Sequence, residues 1–222
     1  MKLLEKQLWH VLSLGFLIFA LVYITRLDSQ ILSGSLWNIN TKTWLIWSIS
    51  IPIIHQVYVL IIWRSELYYN SLTNIIGKYA FRLYLIDFFI LFVARMVFLI
   101  FLASSNRYTF NLNSYTKYVL IVIISIIAIY SFYSVKRYFG FYRAAGLDHF
   151  DEEVRKLPLV KEGIFKYTSN GMYTYAFLAF YLPGLFYQSK AAILVALFSH
   201  VYIWVHYYFT EKPDMKHIYQ NN

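Results

Sequence analysis

The sequence has no cysteine. That absence excludes disulfides, thiolate nucleophiles and Cys-ligated zinc or iron–sulfur centres, and it leaves the redox compartment open. Charge is also scarce: 14% of the 222 residues are charged, against 59% hydrophobic and 21% aromatic. A soluble domain of this length has too little interior to hide so much apolar surface. The first apolar stretch lacks a small-residue cleavage site, so it is expected to stay as an ordinary first helix. Acids are the scarcer sign, 11 against 20 Lys and Arg, for a formal charge of +9. In a soluble chain that balance would point to nucleic acid. Here the bases sit in short loops between apolar runs, where they orient spans, and no nucleic-acid partner is expected.

Several windows of about twenty residues carry few or no charges, the length that crosses a hydrocarbon layer. The expected fold class is therefore all-α, a polytopic transmembrane helical bundle. Six segments can be drawn, at 8–25, 43–63, 81–103, 116–135, 171–187 and 190–209. Only Gln188 and Ser189 separate the last two, which predicts a tight antiparallel hairpin; Pro183-Gly184 is expected to kink its first arm or turn it back before it crosses fully. The connections and span edges on one side hold only Arg26, Lys42, Arg107, Lys117 and Lys190, whereas those on the opposite side hold Lys2, Lys6, Arg64, Lys78, Arg82, Lys136, Arg137, Arg143, Arg155, Lys156, Lys161, Lys166, Lys212 and Lys216. The positive-inside rule then puts both termini in the cytoplasm, of an inner membrane in a bacterium or an endoplasmic-reticulum-type membrane in a eukaryote.

The connection at 136–170 is too long and too patterned to be a simple loop. "VKRYFGFYRAAG" extends the fourth helix and can stop at Gly146. "DHFDEEVRKLP" reads as a short helix with acids first, bases last and Pro158 ending it. "LVKEGIFKYTSN" is an extended lead-in to the fifth segment. This divides the chain into a scaffold of four helices, 1–135, and a region at 136–222 made of the long cytosolic loop and the hairpin.

In "SNGMYTY", Asn170 or Ser169 can cap the fifth helix, and Gly171 allows close approach of a backbone or a ligand. The helix start points out of the membrane and suits a carboxylate or phosphate. Segment six returns to the same side through "HYYFTEKPDMKHIY", so a tight hairpin sets Gly171 and Tyr173 near Glu211. A helix start that holds an anion, beside a carboxylate that accepts from an ammonium or hydroxyls, suits a zwitterionic, ribose-bearing ligand.

The pair "FKYTSNGMY" and "TEKPDMKHIY" resembles the C-terminal signature of integral membrane methyltransferases, whose two branches act on phospholipid amines and on isoprenylcysteine carboxylates. Gly163, Phe165, Lys166, Asn170, Met172 and Tyr173 match the first part, and Glu211, Pro213, Ile218 and Tyr219 the second. The sequence departs from the pattern at Ser169-Asn170, which replaces an Arg-His pair, at Gly171, which replaces a proline, and at Lys212, which replaces a second glutamate. It is nearer the phospholipid branch.

The resemblance implies S-adenosylmethionine as cofactor and a lipid or lipidated acceptor in the bilayer, with residues 136–222 forming the catalytic region. The donor's carboxylate is expected at the amides of Gly171 and Met172, assisted by Lys166, and its ribose hydroxyls or ammonium at Glu211. Tyr167, Tyr173 or Tyr207 would face the adenine or the sulfonium. An amine acceptor must lose a proton, for which His149, His206 and Glu211 are candidates. Asp87, an acid within the third span, can approach a headgroup ammonium; Arg95 lies deeper. No metal site is expected, since His200 and His206 are six apart and point to different helix faces. The alternatives are an isoprenylcysteine carboxyl methyltransferase-like enzyme and an NADPH-dependent membrane sterol reductase-like protein. The latter is disfavoured because 161–175 has no arginine cluster for a 2′-phosphate. A non-catalytic lipid-binding or transport protein would need neither Glu211 nor the polar stretch before the fifth segment.

Overall fold

The computed structural model describes residues 2–220. Four long helices come first: α1 (Gln7–Leu27), α2 (Thr41–Tyr69), then, after the short α3 (Ser71–Ile76), α4 (Ala80–Ser105) and α5 (Ser114–Ser134). The π-helical turn Val135–Phe139 extends α5. The 140–170 connection contributes α6 (Phe141–Ala144) and α7 (Glu152–Arg155). The returning hairpin is α8 (Gly171–Tyr175), a 3₁₀ stretch at Ala176–Phe180, α9 (Tyr181–Tyr187) and α10 (Lys190–His206). A second π-helical turn, Tyr207–Glu211, leads into α11 (Lys212–Gln220).

Side-chain caps explain where three spans begin. Asn40 accepts from Thr43 N at 2.9 Å, Asn113 from Thr116 N at 2.8 Å, and Ser189 from Ala192 N at 3.1 Å. All three lie at one end of the bundle. That end is closed by Asn106, whose amide donates to Gln30 O and Ser33 O and accepts from Ser189 Oγ and Ala191 N. A two-strand hairpin, Ser35–Leu36 with Ile39–Asn40, sits there on a turn with Trp37 and Asn38 both at positive φ.

α10 is the centre of the bundle. Ala191, Ala192, Val195, Ala196 and Ser199 are all buried, and these small side chains let α1, α2, α4 and α9 approach it. By contrast α1 exposes Leu8, Val11, Phe16 and Phe19, an apolar surface that suits lipid rather than water.

Among the described residues, five helical stretches are long and apolar enough to cross a membrane: Lys2–Leu27, Thr41–Tyr69, Ser71–Ser105, Ser114–Phe139 and Lys190–Tyr219. The protein is thus an all-α polytopic membrane bundle. Of the six segments expected from the sequence, 171–187 is the one outside this set, because it is broken into α, 3₁₀ and α pieces. It nevertheless carries the chain from one end of the bundle to the other. Tyr173 meets Glu211, whereas Gln188 at its far end accepts through its carbonyl from Thr109 N at 3.0 Å.

Two local expectations need correction. The extended fourth helix ends at Gly140 (φ 87), not at Gly146, which instead turns the chain between α6 and Leu147–His149. Asn170 precedes α8 without a side-chain cap; its carbonyl accepts from the Thr174 amide and hydroxyl at 3.0 and 3.1 Å. The short helix in "DHFDEEVRKLP" does form, as α7, with Asp151 accepting from Glu153 N at 2.9 Å.

Candidate active site

The hairpin brings the two halves of the motif together. Tyr173 on α8 donates its hydroxyl to Glu211 Oε2, 38 positions further along the chain. Glu211 closes the π-helical turn, where one extra residue per turn shifts every later side chain around the axis. The Tyr173 ring touches Phe177, Trp204 and Tyr207, with centroids at 6.1, 6.1 and 6.0 Å. Gly171, two residues earlier, is buried.

Beside this pair lies a buried ionic network. Arg64 Nε reaches Asp214 Oδ1 at 3.1 Å; its Nη1 donates to Leu3 O and Glu5 O, and its Nη2 to Phe209 O. The His149 Nδ1 atom pairs with Asp148 at 3.1 Å, and its Nε2 stands 3.8 Å from Asp214 Oδ2. Tyr219 on α11 donates to Asp148 at 3.0 Å and accepts from Arg143. Burial alone would depress the His149 imidazolium, but the Asp148 and Asp214 carboxylates more than reverse it and raise it to about 9. Burial would likewise raise Asp148, yet the hydrogen bonds from His149 and Tyr219 and the Arg143 charge hold it below the usual carboxylate range. The Trp63 indole is the floor of this network: it stacks on His149 at 4.3 Å and donates to Tyr84 Oη at 2.8 Å.

Tyr173 also lines a cavity of about 140 Å³. Trp63, Met172, Tyr173 and His206 line it, together with His55, Phe92, Arg95 and Phe180. Both ring nitrogens of His206 and of His55 lack a hydrogen-bond partner, although the two side chains are buried.

The residues singled out in the sequence fall into three groups. Met172, Tyr173 and His206 line the cavity, and Glu211 is joined to it through the Tyr173 hydroxyl. Lys166 and Tyr167 are exposed nearby, and Asn170 is half-buried. The glycines serve protein packing: a Cβ on Gly171 would come 2.7 Å from Ile164 Cγ2, and one on Gly163 (φ 58) 2.7 Å from Ser134 Oγ. His149 is locked in the ionic network, and Asp87 accepts from Tyr58 at 3.1 Å away from the cavity wall.

Arg64, Asp148, Asp214 and Trp63 were not singled out from the sequence. A signal existed for Asp214, which with Glu211 makes up the whole acidic complement of residues 207–222.

The fold and the site define a polytopic membrane protein with a polar junction that shares Tyr173 with a largely apolar cavity. Residues 113–222 match the family model described as phospholipid methyltransferase. That region, just under half of the chain, is similar to phospholipid methyltransferases, and it is carried on a bundle with helices long and apolar enough to cross a membrane. Comparison with curated proteins and with solved structures finds no significant match.

Proposed function

We propose that the protein transfers a methyl group from S-adenosylmethionine to the amine headgroup of a phospholipid, in the manner of phosphatidylethanolamine N-methylation. The observation that carries this reading is the Tyr173–Glu211 hydrogen bond, made by a tyrosine of the cavity lining inside the region that matches the family. When bound, the cofactor supplies an electrophilic methyl group on a sulfonium.

The residues present fit such a group. Glu211 is a carboxylate beside a cluster of Tyr173, Trp204 and Tyr207 rings, suited to ribose hydroxyls or an ammonium and to a sulfonium facing aromatic rings. The amides of Gly171, Met172 and Tyr173 precede the first intrahelical bond, Thr174 N to Asn170 O, and so remain available to a carboxylate, with the exposed Lys166 near in sequence. Methyl transfer is an in-line displacement, to which this chain contributes positioning and the exclusion of water. The proton of the acceptor amine goes to His206, an unpartnered imidazole on the cavity wall. His149, held as imidazolium between two carboxylates, is unsuited to accept it. In this reading residues 136–222 are the catalytic region and 1–135 the scaffold. The end carrying Glu211 faces the cytosol, so that a soluble donor meets a lipid arriving sideways from the bilayer.

A titration of the purified protein with S-adenosylmethionine, S-adenosylhomocysteine and NADPH tests the reading. Binding of the first two is expected, and Glu211→Gln and Tyr173→Ala should each weaken it about tenfold, the usual cost of one charge-assisted contact. Absence of binding by either methyl-cycle compound overturns it. Lipid extracts of expressing cells then report the acceptor: methylated phosphatidylethanolamine is expected, and methyl esters of isoprenylcysteine would transfer the protein to the other branch.

A further inference from the structure

Arg95 is 4% exposed, on the membrane-embedded part of α4. Its guanidinium stands over the Phe177 and Phe180 rings at 5.2 and 5.1 Å, and Nε and Nη2 have no hydrogen-bond partner. Among the described residues no carboxylate pairs with it. A buried cation without a counter-ion is strongly disfavoured in a membrane interior. Both unpartnered atoms belong to a side chain in the wall of the cavity, where His55, 2% exposed, also has two unpartnered nitrogens. An otherwise apolar chamber thus holds one charge and several donors with nothing of the protein to receive them.

We infer that Arg95, with His55 in the same cavity, binds the phosphodiester of the lipid acceptor. Charge complementarity calls for an anion, and the apolar lining calls for one that arrives on acyl chains. The placement also separates the two acceptor chemistries. Arg95 lies against Phe177, whose ring centroid is 6.1 Å from that of Tyr173, and Tyr173 is bonded to Glu211. Two successive ring contacts, of 5.2 and 6.1 Å, therefore separate an anion held at Arg95 from the Tyr173 side of the junction where the methyl group would be delivered. A phosphodiester there carries its amine two carbons further out, in the same cavity that is lined by Tyr173 of that junction. An isoprenylcysteine carboxylate drawn to the same cation would be held short of it. This inference rests on the reading of the acceptor as a phospholipid, and it assigns the residue that selects it.

The test uses lipid binding without methyl donor, so its outcome is independent of catalysis. Purified wild-type protein, Arg95→Gln and Arg95→Lys are compared by native mass spectrometry and thermal shift against phosphatidic acid, diacylglycerol and inorganic phosphate. Wild type is expected to prefer phosphatidic acid over diacylglycerol about tenfold or more, as one charge-assisted contact implies. Arg95→Gln should erase the preference while still binding diacylglycerol, which shows that it is folded, and Arg95→Lys should keep part of it. Inorganic phosphate should neither bind nor compete. An unchanged preference in Arg95→Gln overturns the assignment, and so does inorganic phosphate competing as well as the lipid. Failure of S-adenosylmethionine to bind would remove the methyl-transfer reading and leave these measurements standing.

Discussion

Arg64 on α2 and Asp214 on α11, 150 residues apart, form an ion pair in which both side chains are at most 1% exposed. With Nη1 on the Leu3 and Glu5 carbonyls and Nη2 on Phe209 O, the guanidinium has a partner at every nitrogen. A buried pair so completely bonded is costly to half-remove. Asp214→Asn or Arg64→Met alone should destabilise the protein by about 3–5 kcal/mol, whereas an apolar double replacement should recover most of it. Thermal unfolding in detergent measures both, and equal losses in single and double variants would show that the pair is not the cause.

The His149 site gives stability a direction with pH. Its folded pKa of about 9 exceeds the ordinary 6.5, so the protonated form is favoured by folding. This contribution is full below about pH 6.5 and is lost as pH rises through about 9. The thermal midpoint of the wild type should fall across that window, and His149→Gln should flatten the fall. A midpoint that rises from pH 6.5 to 9 would contradict the network.

Gly146 has φ 90, and a Cβ there would lie 2.3 Å from Trp63 Cε2. Because that indole also carries His149, the neighbour cannot give way cheaply. Gly146→Ala should cost about 2 kcal/mol or more, from left-handed strain and overpacking together. Limited proteolysis within 140–170 should accelerate before the bundle itself unfolds.

Tyr173→Phe keeps the ring contacts and removes only the hydroxyl that Glu211 accepts. In a double-mutant cycle with Glu211→Gln, read on S-adenosylmethionine affinity, the two losses should be non-additive by about 1 kcal/mol, as expected for directly bonded partners. Strict additivity would mean that the two residues act on the donor separately.

The crossing segments and the hairpin were legible because apolar run length and a two-residue connection constrain them directly. From the hairpin followed the meeting of Tyr173 and Glu211. The Arg64–Asp214–His149 network was not legible: its members lie on three remote segments, and such pairings leave no periodicity. Both π-helical turns were missed for a related reason, since one inserted residue does not alter composition. Gly171 is expected from the sequence to admit a backbone or a ligand, and the group that approaches it is the Ile164 side chain; Gly163, which the sequence marks only as a match to the motif, packs against Ser134. Gly146 was read as a helix stop when Gly140 had already ended the helix six residues earlier.

Arg64 also imposes an order on biogenesis. Translation produces it 150 residues before Asp214, so the second span must be delivered to the bilayer while its guanidinium is still without the acid that will neutralise it. The maturing chain therefore passes through a stage in which this cation needs water, a lipid phosphate or an insertion factor as a temporary companion. A nascent protein stalled before residue 214 should be the species that quality-control proteases recognise.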